Sequence, residues 1–372
     1  MPARRVSEIS TSMIRRMFEI VERAKKEGRE VINLSIGEPD FDTPPEIIEL
    51  AYEYMNKGYT HYTSNMGLEE LREVIAERYG VESGEVMITV GASEALLNAS
   101  LAFMEENSKV VLHTPSFLSY FTYVKLCSAR PVEVNTSDSN FLLQSEAVEG
   151  VMDSSVSALI LNFPTNPSGA VMGQREIDEV YEIAEDHSAV VISDEVYDRI
   201  YYDKKPGTLA GKENAVVINA FSKTLAMTGW RIGFVIAEKG LLDQMLKVHQ
   251  VNGVCAPAFA QKAVAEYLAD GKDREFVRDM VDEFRRRRDF VVRRLGKYFD
   301  LAVPEGAFYV FAKAYEGFVE ELLMEKGVAL TPGTPFGSGF DDYFRLSYAT
   351  SMENLKKAVE RIEEFMEERA KG

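Results

Sequence analysis

Between Val86 and Ile236 the chain alternates short apolar runs with stretches of helical periodicity. The runs are Val86–Val90, Val110–Leu112, Pro131–Val134, Ala158–Leu161, Val190–Ile192, Val216–Ile218 and Ile232–Ile236. Glu94–Met104 and Gln174–Glu185 are clear examples of the helical patterns between them. Apolar runs of that length, bounded by turns and separated by helices, predict a largely parallel sheet covered on both faces. Sheets of this kind bind ligands beyond the carboxyl ends of their strands. The residues that follow each run are therefore where function is sought.

Around this region lie elements of another kind. Ser12–Lys26 places Met13, Met17, Ile20, Val21 and Ala24 on one stripe, a helix ended by Gly28, and Val31–Leu34 reads as a short strand. Helices are predicted over Pro45–Asn56 and Leu68–Tyr79, flanking Tyr59-Thr60-His61-Tyr62-Thr63. After Lys239 come a long charged helix (Asp273–Tyr298), strands at Leu301–Val303, Phe308–Phe311 and Tyr343–Leu346, a helix near Gly317–Glu325 and a terminal helix from Met352. With 372 residues, two domains are expected: a large one over 38–265, and a smaller α+β one built from 1–37 and 266–372.

Acidic residues outnumber basic ones 60 to 42, and a net charge of −18 argues against nucleic-acid and anionic-membrane partners. No apolar run approaches the roughly 20 residues that span a bilayer, and Met1–Arg5 leads into polar residues rather than a signal-peptide core. Cys127 and Cys255 are far apart, which suits thiols in a reducing compartment, and a cytoplasmic protein is expected. The four histidines have no ligand spacing, so no metal site is expected. Arg285–Arg288 lies on a helix dense with acids and reads as a solvated face.

Three strand ends carry reactive groups. Ala158–Leu161 runs into Asn162-Phe163-Pro164-Thr165-Asn166-Pro167-Ser168-Gly169, Val190–Ile192 into Ser193-Asp194-Glu195-Val196-Tyr197, and Val216–Ile218 leads to Ser222-Lys223. Taken singly, each has a plain structural reading: a proline-rich turn, a capping carboxylate, a surface lysine. Together an amide, an acid with a phenol, and an amine could surround one flat, phosphorylated heteroaromatic ring. A lysine near an apolar wall can have a depressed pKa and attack a carbonyl to form an imine.

Five strings occur in order: GEPDF (Gly37–Phe41), NPSG (Asn166–Gly169), SDEVYD (Ser193–Asp198), SKTLAMTGWRIG (Ser222–Gly233) and RLSYAT (Arg345–Thr350). This set resembles the class I/II aminotransferases of the fold type I pyridoxal-phosphate enzymes, from about residue 10 to the C-terminus. The resemblance implies an α/β fold in which a large domain with a mostly parallel seven-stranded sheet between helices carries a smaller α+β domain. It also implies pyridoxal 5′-phosphate as cofactor, with amino acids and 2-oxo acids as substrates.

The family's roles fall on numbered positions. The resemblance makes Lys223 the imine-forming lysine that also carries the proton, Asp194 the partner of the ring nitrogen, and Asn166 and Tyr197 donors to the ring's phenolic oxygen. It stacks Phe117 on the ring and gives the phosphate to Ala92 and Ser93 at a helix start, to Ser222 and to Arg231. It brings Tyr62 to the phosphate of a neighbouring subunit, which implies a homodimer with shared sites. Arg345 and the backbone N–H of Gly37 would take the substrate's α-carboxylate.

There are departures. Ala220 stands where many relatives have a serine, and Ser93 stands where some bacterial aspartate enzymes have a lysine for the distal carboxylate. Arg15 or Arg16 could bring a cation near the pocket mouth, although a solvated helix face is the simpler reading. The resemblance ranks an aspartate-type ping-pong aminotransferase first, with 2-oxoglutarate as a representative acceptor, and aromatic or alanine enzymes next. A β-lyase, which expels a β-substituent from the same carbanion, ranks behind them. A pyridoxal-phosphate-binding regulator ranks last, because about 30 residues before Val31 are too few for a DNA-binding module.

Overall fold

A computed structural model describes residues 3–7, 9, 21, 26, 28 and 30–371. The helix expected over Ser12–Lys26, with Arg15 and Arg16, lies outside the described residues apart from Val21 and Lys26. The strands in chain order are β1 (Ile32–Asn33), β2 (Val86–Thr89), β3 (Lys109–Thr114), β4 (Arg130–Asn135), β5 (Val156–Leu161), β6 (Val190–Asp194), β7 (Ala215–Ala220), β8 (Gly233–Ala237), β9 (Asp300–Leu301), β10 (Tyr309–Lys313), β11 (Val328–Ala329), β12 (Thr331–Pro332) and β13 (Tyr343–Ser347).

All the apolar runs from Val86 to Ile236 become strands of one seven-stranded sheet, in the order β2-β8-β7-β6-β5-β3-β4. Strands β3 to β7 run parallel to one another, whereas β8 runs antiparallel to both β2 and β7. Side chains alternate across the sheet. Val216 and Ile218 of β7 pack with Leu96, Ala99, Leu242 and Met245 of helices Ala92–Phe103 and Lys239–Asn252. Ala215 and Val217 face the other way, into a core with Ile177, Val180 and Ala184 of helix Gln174–Asp186. Continuous burial along β2, β7 and β8 follows from helices on both faces. Pro131, which has no N–H to give a ladder, sits on the edge strand β4.

A second, antiparallel sheet has the order β12-β13-β10-β9, and β1 pairs in parallel with β11. Backbone bonds from Leu34 to Ala329 and from Ser347 to Leu34, each 2.9 Å, stitch the segment after β1 beside β13. That stitch brings Ser35–Gly37 next to Arg345.

Some features escaped the sequence pattern. Helix Ala258–Ala269 buries Ala260, Ala263, Val264, Tyr267 and Leu268 together with Ala258, Gln261 and Ala265, so it shows no polar stripe. The solvated face expected over Arg285–Arg288 is corrected: Arg287 and Arg288 are 6% and 8% exposed. Arg287 pairs with Asp40 at 2.6 Å, and the Arg288 guanidinium lies 4.5 Å from the Tyr202 ring centre. Paired charge and a long aliphatic stem let arginine enter a packed interface that a residue count cannot foresee.

Candidate active site

The ends of β5, β6 and β7 are neighbours in the sheet, so the three reactive segments meet beside one cavity of about 310 Å³. Asp194 closes β6, and Lys223 sits on the short helical turn Phe221–Thr224 directly after β7. Both line the cavity, together with Gly37, Asn166, Tyr197 and Arg345. Because side chains alternate, Glu195 points away from it and accepts from Ser193 Oγ and the Leu209 N–H.

Lys223 Nζ donates to the carbonyl of Gly37 at 2.6 Å. Burial lowers its pKa to about 8, opposed mainly by the charge of Glu38. Asp194 accepts from the Tyr120 hydroxyl at 2.7 Å, and burial raises its pKa to about 6 against that hydrogen bond. Near neutral pH a partly buried ammonium and a buried carboxylate thus face the same space.

The lysine has a cost in stability. Its folded pKa lies below the unfolded value, so the unfolded chain binds the extra proton, and the penalty is fully present below pH 8 and gone above about 10.5. We expect Lys223→Met to stabilise the cofactor-free protein at pH 7 by about 3 kcal/mol, with the gain vanishing as pH rises through that window. Urea unfolding at several pH values measures it; a gain independent of pH would remove the buried charge as its cause.

Asn162 braces the strand ends. Its Nδ2 donates to the Asp194 carbonyl at 2.9 Å, and its Oδ1 accepts from the Asn166 N–H at 2.9 Å. Arg345, 1% exposed, donates from Nη1 to Asn166 Oδ1 at 2.7 Å and from Nη2 to the Ser35 carbonyl at 2.7 Å. Since a guanidinium can only donate, it fixes which way the Asn166 amide points and leaves Nδ2 as a donor elsewhere. Rings of Tyr309 and Phe336 lie 4.6 and 5.2 Å from the Arg345 carbon. Its described hydrogen-bond partners are all neutral, and Nε has none. A buried cation without an acid is unusual, and it is set to receive a carboxylate.

Elsewhere in the wall, Gly91 (φ 77°) precedes helix Ala92–Phe103, whose first residues Ala92 and Ser93 line the cavity. A Cβ at Gly91 would stand 2.5 Å from Arg231 Nη2, so only glycine lets this guanidinium lie against the helix start. Amide N–H groups with an adjacent arginine make an anion cradle. Ser222 and Phe117 also line the cavity, and Phe117 meets Tyr120 edge-on at 5.6 Å. Among the described residues predicted for the site, Tyr62 alone stands outside it, 85% exposed.

Sequence reasoning passed over Tyr120 and Tyr309. One helical turn after Phe117 brings Tyr120 to the same side. Tyr309 follows from pairing alone, because β10 lies beside the strand of Arg345.

The chain matches the family model "Aminotransferase class I and II" over residues 29–362. It is 39% identical to an aspartate aminotransferase of Pyrococcus abyssi, over 98% of each chain. It is 37% identical to aromatic-amino-acid aminotransferase 2 of Thermococcus litoralis, again over 98% of each. The fold superposes on Thermus thermophilus aspartate aminotransferase solved with maleate at a TM-score of 0.93, with 32% identity and 97% and 98% of the two chains covered. With the amine, the acid and the buried arginine gathered in one cavity and the match running nearly end to end, the chain belongs to the class I and II aminotransferases, the pyridoxal-phosphate-dependent enzymes of fold type I.

Proposed function

We propose that this protein moves the amino group of an L-amino acid to a 2-oxo acid in two successive half-reactions at this cavity, with pyridoxal 5′-phosphate as cofactor. One observation carries the reading: Lys223 and Asp194 line the same cavity as the buried Arg345, whose partners among the described residues are all neutral. The residues suit the cofactor. The Gly91–Arg231 cradle fits a phosphate, and the buried carboxylate of Asp194 fits a protonated ring nitrogen.

When bound, pyridoxal phosphate supplies an aldehyde and an electron-withdrawing ring. The protein's groups do the rest. Ala92, Ser93, Ser222 and Arg231 hold the phosphate, and Phe117 covers a ring face. Asp194 holds the proton on the ring nitrogen, braced by Tyr120. Asn166 and Tyr197 donate to the phenolic oxygen. Arg345 and the Gly37 N–H bind the α-carboxylate and present the α-carbon. Lys223, with its pKa lowered to about 8, takes the α-proton as a base and returns it as an acid.

The same reading makes the working unit a homodimer in which Tyr62 serves the neighbour's phosphate. Exposed Tyr62, Val251 and Val254 support it, because Asn65 donates to the Val254 carbonyl and ties the two segments together. The domain division is 38–265 against 1–37 with 266–372, the smaller unit bringing Arg345.

An aspartate-type donor is the first assignment. Aromatic donors are the second, because the described lining holds no cation beyond Lys223, Arg231 and Arg345, while Leu96, Phe117, Tyr120 and Tyr309 supply apolar surface. A half-reaction screen of the twenty amino acids, following loss of the bound cofactor's visible absorbance, decides between them. Aspartate and glutamate are expected to react fastest; no reaction with any amino acid would sink the assignment of function itself.

A further inference from the structure

The hydroxyl of Tyr309 has no role in the mechanism above, yet it stands at a junction. Tyr309 is fully buried on β10, and its Oη lies 2.8 Å from Tyr197 Oη. Its ring covers one face of the Arg345 guanidinium at 4.6 Å. Its hydroxyl also lies 2.5 Å from where a Cβ at Gly37 would stand, so it packs against the segment whose carbonyl holds Lys223. One side chain of the antiparallel sheet therefore contacts the phenol on one side of the cavity and the carboxylate-binding cation on the other.

Two hydroxyls at 2.8 Å share a single hydrogen bond, in which one donates and the other accepts. If Tyr197 gives its proton to the cofactor's phenolic oxygen, only Tyr309 can donate within the pair. A hydroxyl that accepts while it donates is both fixed in direction and a stronger donor. We propose that Tyr309 is a positioning residue, which aims the Tyr197 hydroxyl into the cavity by donating to it and holds the Arg345 guanidinium flat against its ring. The inference rests on the aminotransferase reading of the same site.

The two halves of this role separate by substitution. Tyr309→Phe keeps the ring over Arg345 and loses the donor; Tyr309→Leu loses both. A hydrogen bond to the phenolic oxygen favours its anionic form and lowers the pKa of the proton shared beside it. In Tyr309→Phe holoenzyme, the pKa read from the cofactor's visible absorbance is expected to rise by about 0.5. Its kcat should fall about 3- to 10-fold, with KM for amino and oxo acids unchanged. Tyr309→Leu should raise both KM values as well.

The decisive control is Tyr197→Phe. In that background, adding Tyr309→Phe should shift the absorbance pKa no further, because the hydroxyl it positions is gone. A merely structural Tyr309 would leave the wild-type titration unmoved, or shift it equally in both backgrounds, and either result overturns the proposal. Tyr309→Phe removes one atom, so the test survives should Tyr309→Leu not fold. If wild-type protein mixed with pyridoxal phosphate shows no bound visible absorbance, the functional reading fails and this inference with it. If wild type shows the absorbance and Tyr309→Phe matches it throughout, only the inference fails.

Discussion

Lys223→Ala is expected to lower turnover by roughly ten-thousand-fold or more, the effect of losing a nucleophile and a proton carrier together. Among the described residues lining the cavity no second amine can replace it: Arg231 and Arg345 carry guanidinium groups, Asp194 is tied to Tyr120, and the tyrosines Tyr120 and Tyr197 are raised well above their ordinary range by burial. The variant should still bind pyridoxal phosphate, through the Gly91–Arg231 cradle and Asp194, but reversibly. Borohydride treatment followed by peptide mass spectrometry should then find the cofactor on Lys223 in wild type and on no residue in the variant. Turnover near the wild-type rate, or modification of another lysine, would move the chemistry elsewhere. The variant should fold, since the same amine weakens the cofactor-free protein below pH 8. The position carries a group that folding alone would exclude, an internal mark of function.

How far the sequence reaches is seen in these residues. The sheet was legible because every strand from β2 to β8 is a short apolar run between turn signals, and a parallel sheet then locates the ligand at its strand ends. Asp194 and Lys223 could be placed beside each other on that ground. Their shared orientation needed alternation counted from the true ends of β6 and β7, which turns Glu195 away while Asp194 faces in. The short strands β11 and β12, with only two residues each, carry no periodicity and were not foreseen. What stayed hidden was pairing across distance: β1 with β11, which brings Ser35 to Arg345, and β10 with β13, which brings Tyr309 there. Strand partners far apart in sequence are set by packing of the whole core. Tyr62 lies at the other limit, because the role given to it needs a second copy of the chain.

Arg345→Ala should weaken capture of the α-carboxylate by about 2–5 kcal/mol, as for a desolvated ion pair that loses one partner. That is roughly thirty- to several-thousand-fold in kcat/KM, for amino acid and 2-oxo acid alike. The range is wide because two effects combine. The direct one is loss of a planar, two-pronged donor whose Nε has no hydrogen bond to give up. The indirect one acts through Asn166, whose Oδ1 is held by Arg345 Nη1 at 2.7 Å. Freed, that amide can turn, and its Nδ2 no longer points reliably at the phenolic oxygen. A pure binding group would raise KM and leave kcat alone; here kcat should fall too. Arg345→Lys separates the parts, since an ammonium restores charge without the paired geometry and should recover some affinity and little of kcat. A primary amine without a carboxylate provides the control, because its slow reaction should lose only the part that runs through Asn166. Equal KM values for wild type and Arg345→Ala would take the carboxylate site away from Arg345, and would leave a buried cation on β13 with no acid among its described partners.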